Sequence, residues 1–114
     1  RNFGGNTRNI VFDFTDLDNP SVHMNYYGPT TAIDHNGYVK GNDYYLANYS
    51  AGIRVIDITA ISNETMTEIG YFDTYPSNDN ASFNGVWNVY PYFESGNIII
   101  SDINTGFYIV RKSE

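Results

Sequence analysis

Residues 43–59 read DYYLANYSAGIRVIDIT, and the runs 44–49 and 53–58 on either side of Ser50-Ala51-Gly52 are apolar, aromatic or β-branched at most positions. That is the pattern of two short strands joined by a tight turn. Gly52 can take the positive φ that closes a bulged three-residue hairpin, so a positive φ is predicted there. A second run, residues 98–111, IIISDINTGFYIVR, aligns with the first without gaps when Tyr45 is laid on Ile99 and Gly52 on Gly106. Only the glycine is identical, yet the apolar positions keep their places, and Gly106 carries the same prediction.

Working outward, residues 9–15 (NIVFDFT) are apolar at nearly every position, which predicts an internal strand covered on both faces. Residues 16–20 (DLDNP) are a turn, since Asp and Asn bond their own backbone and Pro20 biases Asn19 away from helix. Val22, Met24 and Tyr26 alternate with His23, Asn25 and Tyr27, the period of an outer strand with one more polar side. After Gly28-Pro29-Thr30 a strand resumes over 31–40, interrupted at Asn36-Gly37. Residues 60–65 have room for one helical turn capped by Ser62 or Asn63. Residues 66–73 make another strand, 75–81 (YPSNDNA) the longest loop, and 83–92, 96–102 and 106–111 three more strands.

Two further matches organise these strands: VFDFT at 11–15 repeats as VIDIT at 55–59, a spacing of 44, and Asn36-Gly37 repeats as Asn84-Gly85, a spacing of 48. Four short strands at such a period are the signature of propeller blades. The expectation is an all-β partial β-propeller of about two and a half four-stranded antiparallel blades. Its single segment, 1–114, would hold a blade remnant (9–27), a full blade (31–73) and an incomplete blade (83–111). The first would lack inner strands and the last an outer strand, so the strand edges and the faces around 98–100 and 10–14 are expected to be covered by neighbours. Those neighbours would be the remaining blades of a longer chain or other copies in a ring. A self-contained β-sandwich is the alternative.

Composition narrows the function classes. Thirteen acidic and six basic residues give a net charge of −7, which is no electrostatic footprint for nucleic acid or an anionic membrane surface. The absence of cysteine removes disulfides, thiolate metal sites and a cysteine nucleophile. Eleven tyrosines, seven phenylalanines and ten glycines carry the aromatic and turn-rich bias of an all-β domain. No apolar run approaches the roughly 20 residues of a membrane-spanning helix. The chain starts at Arg1 with no basic-then-apolar leader, so processing or truncation of a longer product is expected.

The runs RNIVFDFTDLDNP (8–20), TAIDHNGYVKG (31–41), NYSAGIRVIDIT (48–59) and FDTYP (72–76) resemble the LVIVD-repeat β-propellers, in particular the choice-of-anchor B group. The resemblance covers almost the whole chain. It implies a propeller fold and a secreted or cell-surface bacterial protein. It implies no particular activity, and the sorting tail of such proteins has no counterpart at Arg111-Lys112-Ser113-Glu114.

Among residues that could carry chemistry, Asp34-His35-Asn36 stands out, because a histidine beside an acid can serve as a ligand or general base. Neighbours in a strand point to opposite faces, so Asp34 and His35 cannot grip one ion unless the chain kinks at Asn36-Gly37. The plain alternative is a polar strand segment satisfied by hydrogen bonds. Asn84 is the repeat partner of Asn36 in this reading. Trp87, Tyr90 and Tyr92 lie in the innermost strand of the last unit and offer either inter-blade packing or faces for sugars or a protein partner. His23 reads as solvated, and Arg54 and Tyr108, at aligned hairpin positions, as facing a neighbouring blade.

Oxygen ligands are dense in 16–19 and 78–85, but most in the second run are neutral and no acid closes it at the twelfth position, so no structural metal is expected. Three Asn-X-Ser/Thr sequons, at Asn48, Asn63 and Asn80, are ordinary in an Asn-rich chain. No nucleophile triad or phosphate loop is present. The sequence thus points to a non-catalytic extracellular binding or display scaffold without a cofactor, with a glycan or a protein as ligand. A carbohydrate-binding module built on Trp87 and its neighbouring tyrosines is the alternative, and a propeller hydrolase whose site lies on other blades is a third.

Overall fold

Nine strands in three antiparallel sheets make up the regular structure of residues 4–113, the part that the computed structural model describes. The first sheet pairs β1 (Arg8–Asp13) with β2 (Ser21–Tyr27). The second is a meander of β3 (Gly37–Lys40), β4 (Asp43–Ala47), β5 (Ile53–Asp57) and β6 (Thr67–Phe72). The third runs β7 (Val86–Tyr90), β8 (Asn97–Asp102), β9 (Gly106–Arg111). The described residues contain no α-helix, so the chain is all-β as the aromatic and glycine content predicts.

The repeated hairpin is present in both places and in one register. Tyr45 pairs with Val55 and Ile99 with Ile109, so the spacing of 54 holds across both strands. The turn is shifted by one residue from the expected 50–52. Asn48 N–H donates to the Gly52 carbonyl at 2.9 Å, leaving 49–51 as the loop, as 103–105 is between the paired Asp102 and Gly106. Gly52 and Gly106 have φ of 80° and 94°, the conformation predicted for both.

The spacing of 44 is kept down to its irregularity. The ladders of β1 and β5 shift register at the matched step, between Val11 and Phe12 and between Val55 and Ile56, with the extra residue, His23 or Ile69, on the following strand. Asp13 and Asp57 each accept a 2.8 Å bond from the backbone N–H two residues on, at Thr15 and Thr59. The spacing of 48 is not structural. Tyr38 lies opposite Tyr45 and Tyr90 opposite Ile99, so the counterpart of Tyr38 is Tyr90, and that of Asn36 is Asn88 rather than Asn84. The two Asn-Gly pairs place glycine for different reasons. Gly85 has φ of 93° and lies against the Tyr49 carbonyl, whereas Gly37 lies beneath the Tyr44 ring.

The two central strands of the second sheet, β4 and β5, are buried on both faces, which is what their run of apolar residues requires. On one side Tyr45, Ala47, Ile53 and Val55 pack with Val86, Val89, Ile98 and Ile100 of the third sheet. On the other, Leu46 and Ile56 pack with Tyr26 of the first sheet. Arg54, buried at 7% exposure, lies on the Leu46 and Ile56 face that meets the first sheet, and its polar groups are satisfied within its own sheet. Its Nε donates to the Ala51 carbonyl at 2.8 Å, its guanidinium lies 3.4 Å from Glu68, and it stacks 4.5 Å over Tyr71.

Several expectations are corrected. β1 is not covered on both faces: Ile10, Phe12 and Phe14 are exposed, because the first sheet has only two strands and packs on the second through its other face. Ile98 and Ile100 are already buried inside the chain, so the open face of the third sheet is the alternate one, with Phe107 and Ile109. Residues 31–36 are not strand, although the His35 N–H and the Asn36 carbonyl still bond Ala47 at 2.8 and 2.7 Å. The helical turn exists as a 3-10 turn at Ile61–Asn63, but Ala60 holds the N-cap position with no side-chain bond, so neither Ser62 nor Asn63 caps it.

Candidate functional site

Asp34 and His35 part company, each bonding a different neighbouring sheet. The Asp34 carboxylate turns toward the first sheet and accepts 2.7 Å bonds from the side-chain amides of Asn9 and Asn48. Burial raises its pKa above the ordinary carboxylate value, against the lowering effect of bonds from Thr7 and Asn9. The Tyr44 phenol beside it, donating to Asn9 Oδ1 at 3.3 Å, is pushed up to about 12, first by burial and then by the Asp34 charge. Asp34 thus ties the first two sheets together. A small cavity of about 120 Å³ next to it is lined by Thr7, Arg8, Thr31 and Ala81 among others.

A raised folded pKa fixes the sign of the pH dependence. Above about pH 4 the unfolded chain ionises Asp34 first, so its contribution to stability falls as pH rises toward the folded pKa and then levels off. Asp34→Asn should remove that slope. It should also cost about 1–3 kcal/mol where Asp34 is ionised, because the carboxylate accepts from both amides whereas an asparagine turns its own N–H donors toward one of them. Urea melts across the acid range test both; an unchanged slope in the variant would mean that Asp34 is not the titrating group.

His35 points the other way, to β7. Its Nδ1 lies 2.6 Å from the Trp87 carbonyl; a carbonyl can only accept, so Nδ1 carries the proton. The imidazole lies 4.2 Å from the Trp87 ring at 38°, and 5.3 Å edge-on from Tyr49. Tyr49 in turn meets Phe83 at 5.4 Å and Trp87 at 6.1 Å, and Asn36 Nδ2 donates to Asn88 Oδ1 at 3.2 Å. Trp87 owes its position to a bulge. The β7–β8 register skips from Val86 to Asn88, so Trp87 is left out of the ladder, and the residue is 47% exposed.

The sequence-predicted residues therefore divide. His35, Asn36 and Trp87 come together, with Tyr49, Phe83 and Asn88 added by the fold. Asp34 points away from this group, toward Asn9 and Asn48. Asn84 locks a turn: its Oδ1 accepts from Asn104 Nδ2 at 3.1 Å while Asn104 Oδ1 accepts the Gly85 N–H at 2.8 Å. Tyr90 belongs to a second aromatic group with Tyr92 and Phe93, 5.4 and 5.1 Å away, and Tyr92 reaches Tyr38. Tyr49 was missed because it reads as a strand residue; its place beside the hairpin glycine was the available signal. His23 is not free in solvent, its Nε2 lying 2.6 Å from the Ile61 carbonyl.

The oxygen-rich runs serve as turns. Asp16 and Asn78 accept backbone N–H bonds from Asp18 and Asn80 at 3.0 Å. Among the described residues no three His, Asp or Glu side chains converge on a point, and no helix is long and apolar enough to cross a membrane. Comparison with family models, curated proteins and solved structures finds no match to any of them.

Proposed function

We propose that the chain is part of a bladed β scaffold that binds a ligand without transforming it, through the aromatic group around Trp87. The observation that carries this reading is the bulge at Trp87. It holds one large ring out of the strand ladder while His35 braces it from beneath, a geometry that costs a ladder position and yields an exposed flat surface. The amides of Asn36 and Asn88, which bond each other, follow His35 and Trp87 directly in the chain. A flat aromatic face with amides near it suits a carbohydrate, by stacking and hydrogen bonding, which favours the sugar-binding reading over a protein partner.

The propeller reading is supported by the hairpin recurring at 54, the register shift and Asp turn recurring at 44, and central strands β4 and β5 covered on both faces. The four-stranded second sheet is then one whole blade. The open faces of the first and third sheets would be covered by further blades, of a longer chain or of other copies. The resemblance to the LVIVD-repeat, choice-of-anchor B proteins supports a bacterial secreted or surface location.

Trp87 is the only tryptophan, so its emission reports on this site alone. Titration with a panel of soluble oligosaccharides should quench or shift that emission for at least one member. Trp87→Ala, followed by calorimetry with the same sugar, should abolish binding and leave the melting temperature nearly unchanged. Undiminished binding by the variant would remove Trp87 from the site.

A further inference from the structure

On the sugar-binding reading of the group around Trp87, on which this rests, we infer that the ligand is an acidic oligosaccharide and that His35 takes its carboxylate through Nε2. His35 is exposed, and its ring has one committed nitrogen and one free. Nδ1 donates to the Trp87 carbonyl in either charge state, so Nε2 is the nitrogen that gains or loses the proton. Among the described residues nothing bonds Nε2. The backbone also serves this ring. Tyr49 sits at φ 34°, a left-handed conformation that strains a bulky residue, and from it the phenol ring meets the imidazole edge-on at 5.3 Å. That strain closes a set of mutual ring contacts through Tyr49, His35 and Trp87.

Charge decides between a neutral and an acidic sugar. Between about pH 5 and 8 an imidazole passes from acceptor to cationic donor at its free nitrogen. The groups around His35 offer that cation no counter-ion. Asp34 is turned away, its oxygens bonded by Asn9 and Asn48, and the Tyr49 phenol is kept neutral by burial, which raises its pKa. β4 meets His35 through the Ala47 carbonyl, and β7 through Trp87, with the amide of Asn88 next in the chain. The 75–81 loop, held to Ser50 through the Asn80 carbonyl, carries Asp79, but no ion pair joins it to the imidazole; those among the described residues are Arg54–Glu68 and Lys112–Asp43. The imidazolium is left with one carbonyl and two aromatic rings, and a carboxylate from the ligand completes its partners. A neutral sugar gains nothing from the change, because a hydroxyl donates to the neutral nitrogen and accepts from the charged one. The net charge of −7 opposes an anion here only weakly, since exposed charges beyond about 8–10 Å are screened at ordinary salt.

The test is calorimetry on the whole chain with a panel of uronic-acid oligosaccharides, each paired with its carboxyl-reduced, neutral form. Titrations at about pH 5.5 and about pH 7.5 lie toward the two ends of the range in which imidazoles change charge, and a carboxylate is ionised at both. At least one acidic member should bind about tenfold or more tightly at the lower pH, while its reduced form binds weakly and equally at both. His35→Asn keeps an amide N–H for the Trp87 carbonyl and loses the Nε2 position, so it should bind the acidic sugar with one low affinity at both pH values. Asp34→Asn should keep the pH dependence. The wild-type comparison of each acidic sugar with its reduced form decides the matter even where a variant fails to fold. Equal or tighter binding of the reduced forms, affinity that does not change with pH, or pH dependence retained in His35→Asn overturns the inference and leaves the sugar-binding reading standing. A panel in which neither form binds overturns both.

Discussion

Gly52→Ala should unfold the chain, or lower its melting temperature far below that of the equivalent Gly106→Ala variant. Both glycines follow a three-residue hairpin loop with a positive φ, which costs an L-residue about 1–2 kcal/mol. At Gly106 that is the whole penalty, because a Cβ there would meet nothing within 4 Å. At Gly52 the added carbon would lie 2.1 Å from the Phe72 carbonyl oxygen and 2.7 Å from the Asp73 Cα. Both are backbone atoms and no rotamer change relieves the clash; β6 must separate from β5, where Ile53 pairs with Phe72. Ile53 and Val55 would lose their burial with it. Parallel urea and thermal melts of the two variants make the comparison, and equal losses would show that the β5–β6 contact is not what demands glycine.

Light scattering on the chain should show a mass that grows with concentration, and Phe107→Glu with Ile109→Glu should return it to a monomer. The reason lies in the repeat. Phe107 and Ile109 are the counterparts of Ile53 and Val55, which are 2% and 8% exposed, yet they stand 62% and 61% exposed. Covering an aliphatic or aromatic side chain contributes about 1.5–3 kcal/mol, and the exposed Tyr90 lies on β7 of the same sheet. At the other end of the stack Ile10 and Phe12 are similarly open. Faces of this kind are complementary between copies and do not close on themselves, so association runs head to tail. A wild-type chain that stays monomeric at high concentration with a sharp thermal transition would favour a self-contained fold.

What could be read from the sequence was whatever depends on neighbours a few residues apart. The hairpins and the positive φ of their glycines need only local chemistry, and both are present, with the first loop one residue earlier than expected. Misreadings arose where a distant contact decides. Residues 9–15 look like a strand covered twice, but whether Ile10 and Phe12 are buried depends on what lies beside the first sheet. Asn84-Gly85 looks like a repeat of Asn36-Gly37, but its glycine answers to the carbonyl of Tyr49, 36 residues away in the chain. The candidate site was half legible for the same reason. His35 and Trp87 were visible as residue types, while their stacking depends on a one-residue slip in β7 that no local pattern announces.

The carbonyl of Tyr49 accepts the Gly52 N–H at 3.0 Å and the Val86 N–H at 2.9 Å, so one oxygen both closes the turn of the second sheet and opens the first strand of the third. Repeat arrays are usually treated as a sum of unit terms and interface terms, with units free to open one at a time. A shared acceptor breaks that separation. Opening the 49–51 loop removes the bond that starts β7, and pulling β7 away unclamps the loop, so the two events carry a single free energy. In hydrogen exchange the amides of Gly52 and Val86 belong to one cooperative unit that spans two sheets. Strain applied at the loop beside the aromatic group is then felt at the start of the next sheet without any domain motion.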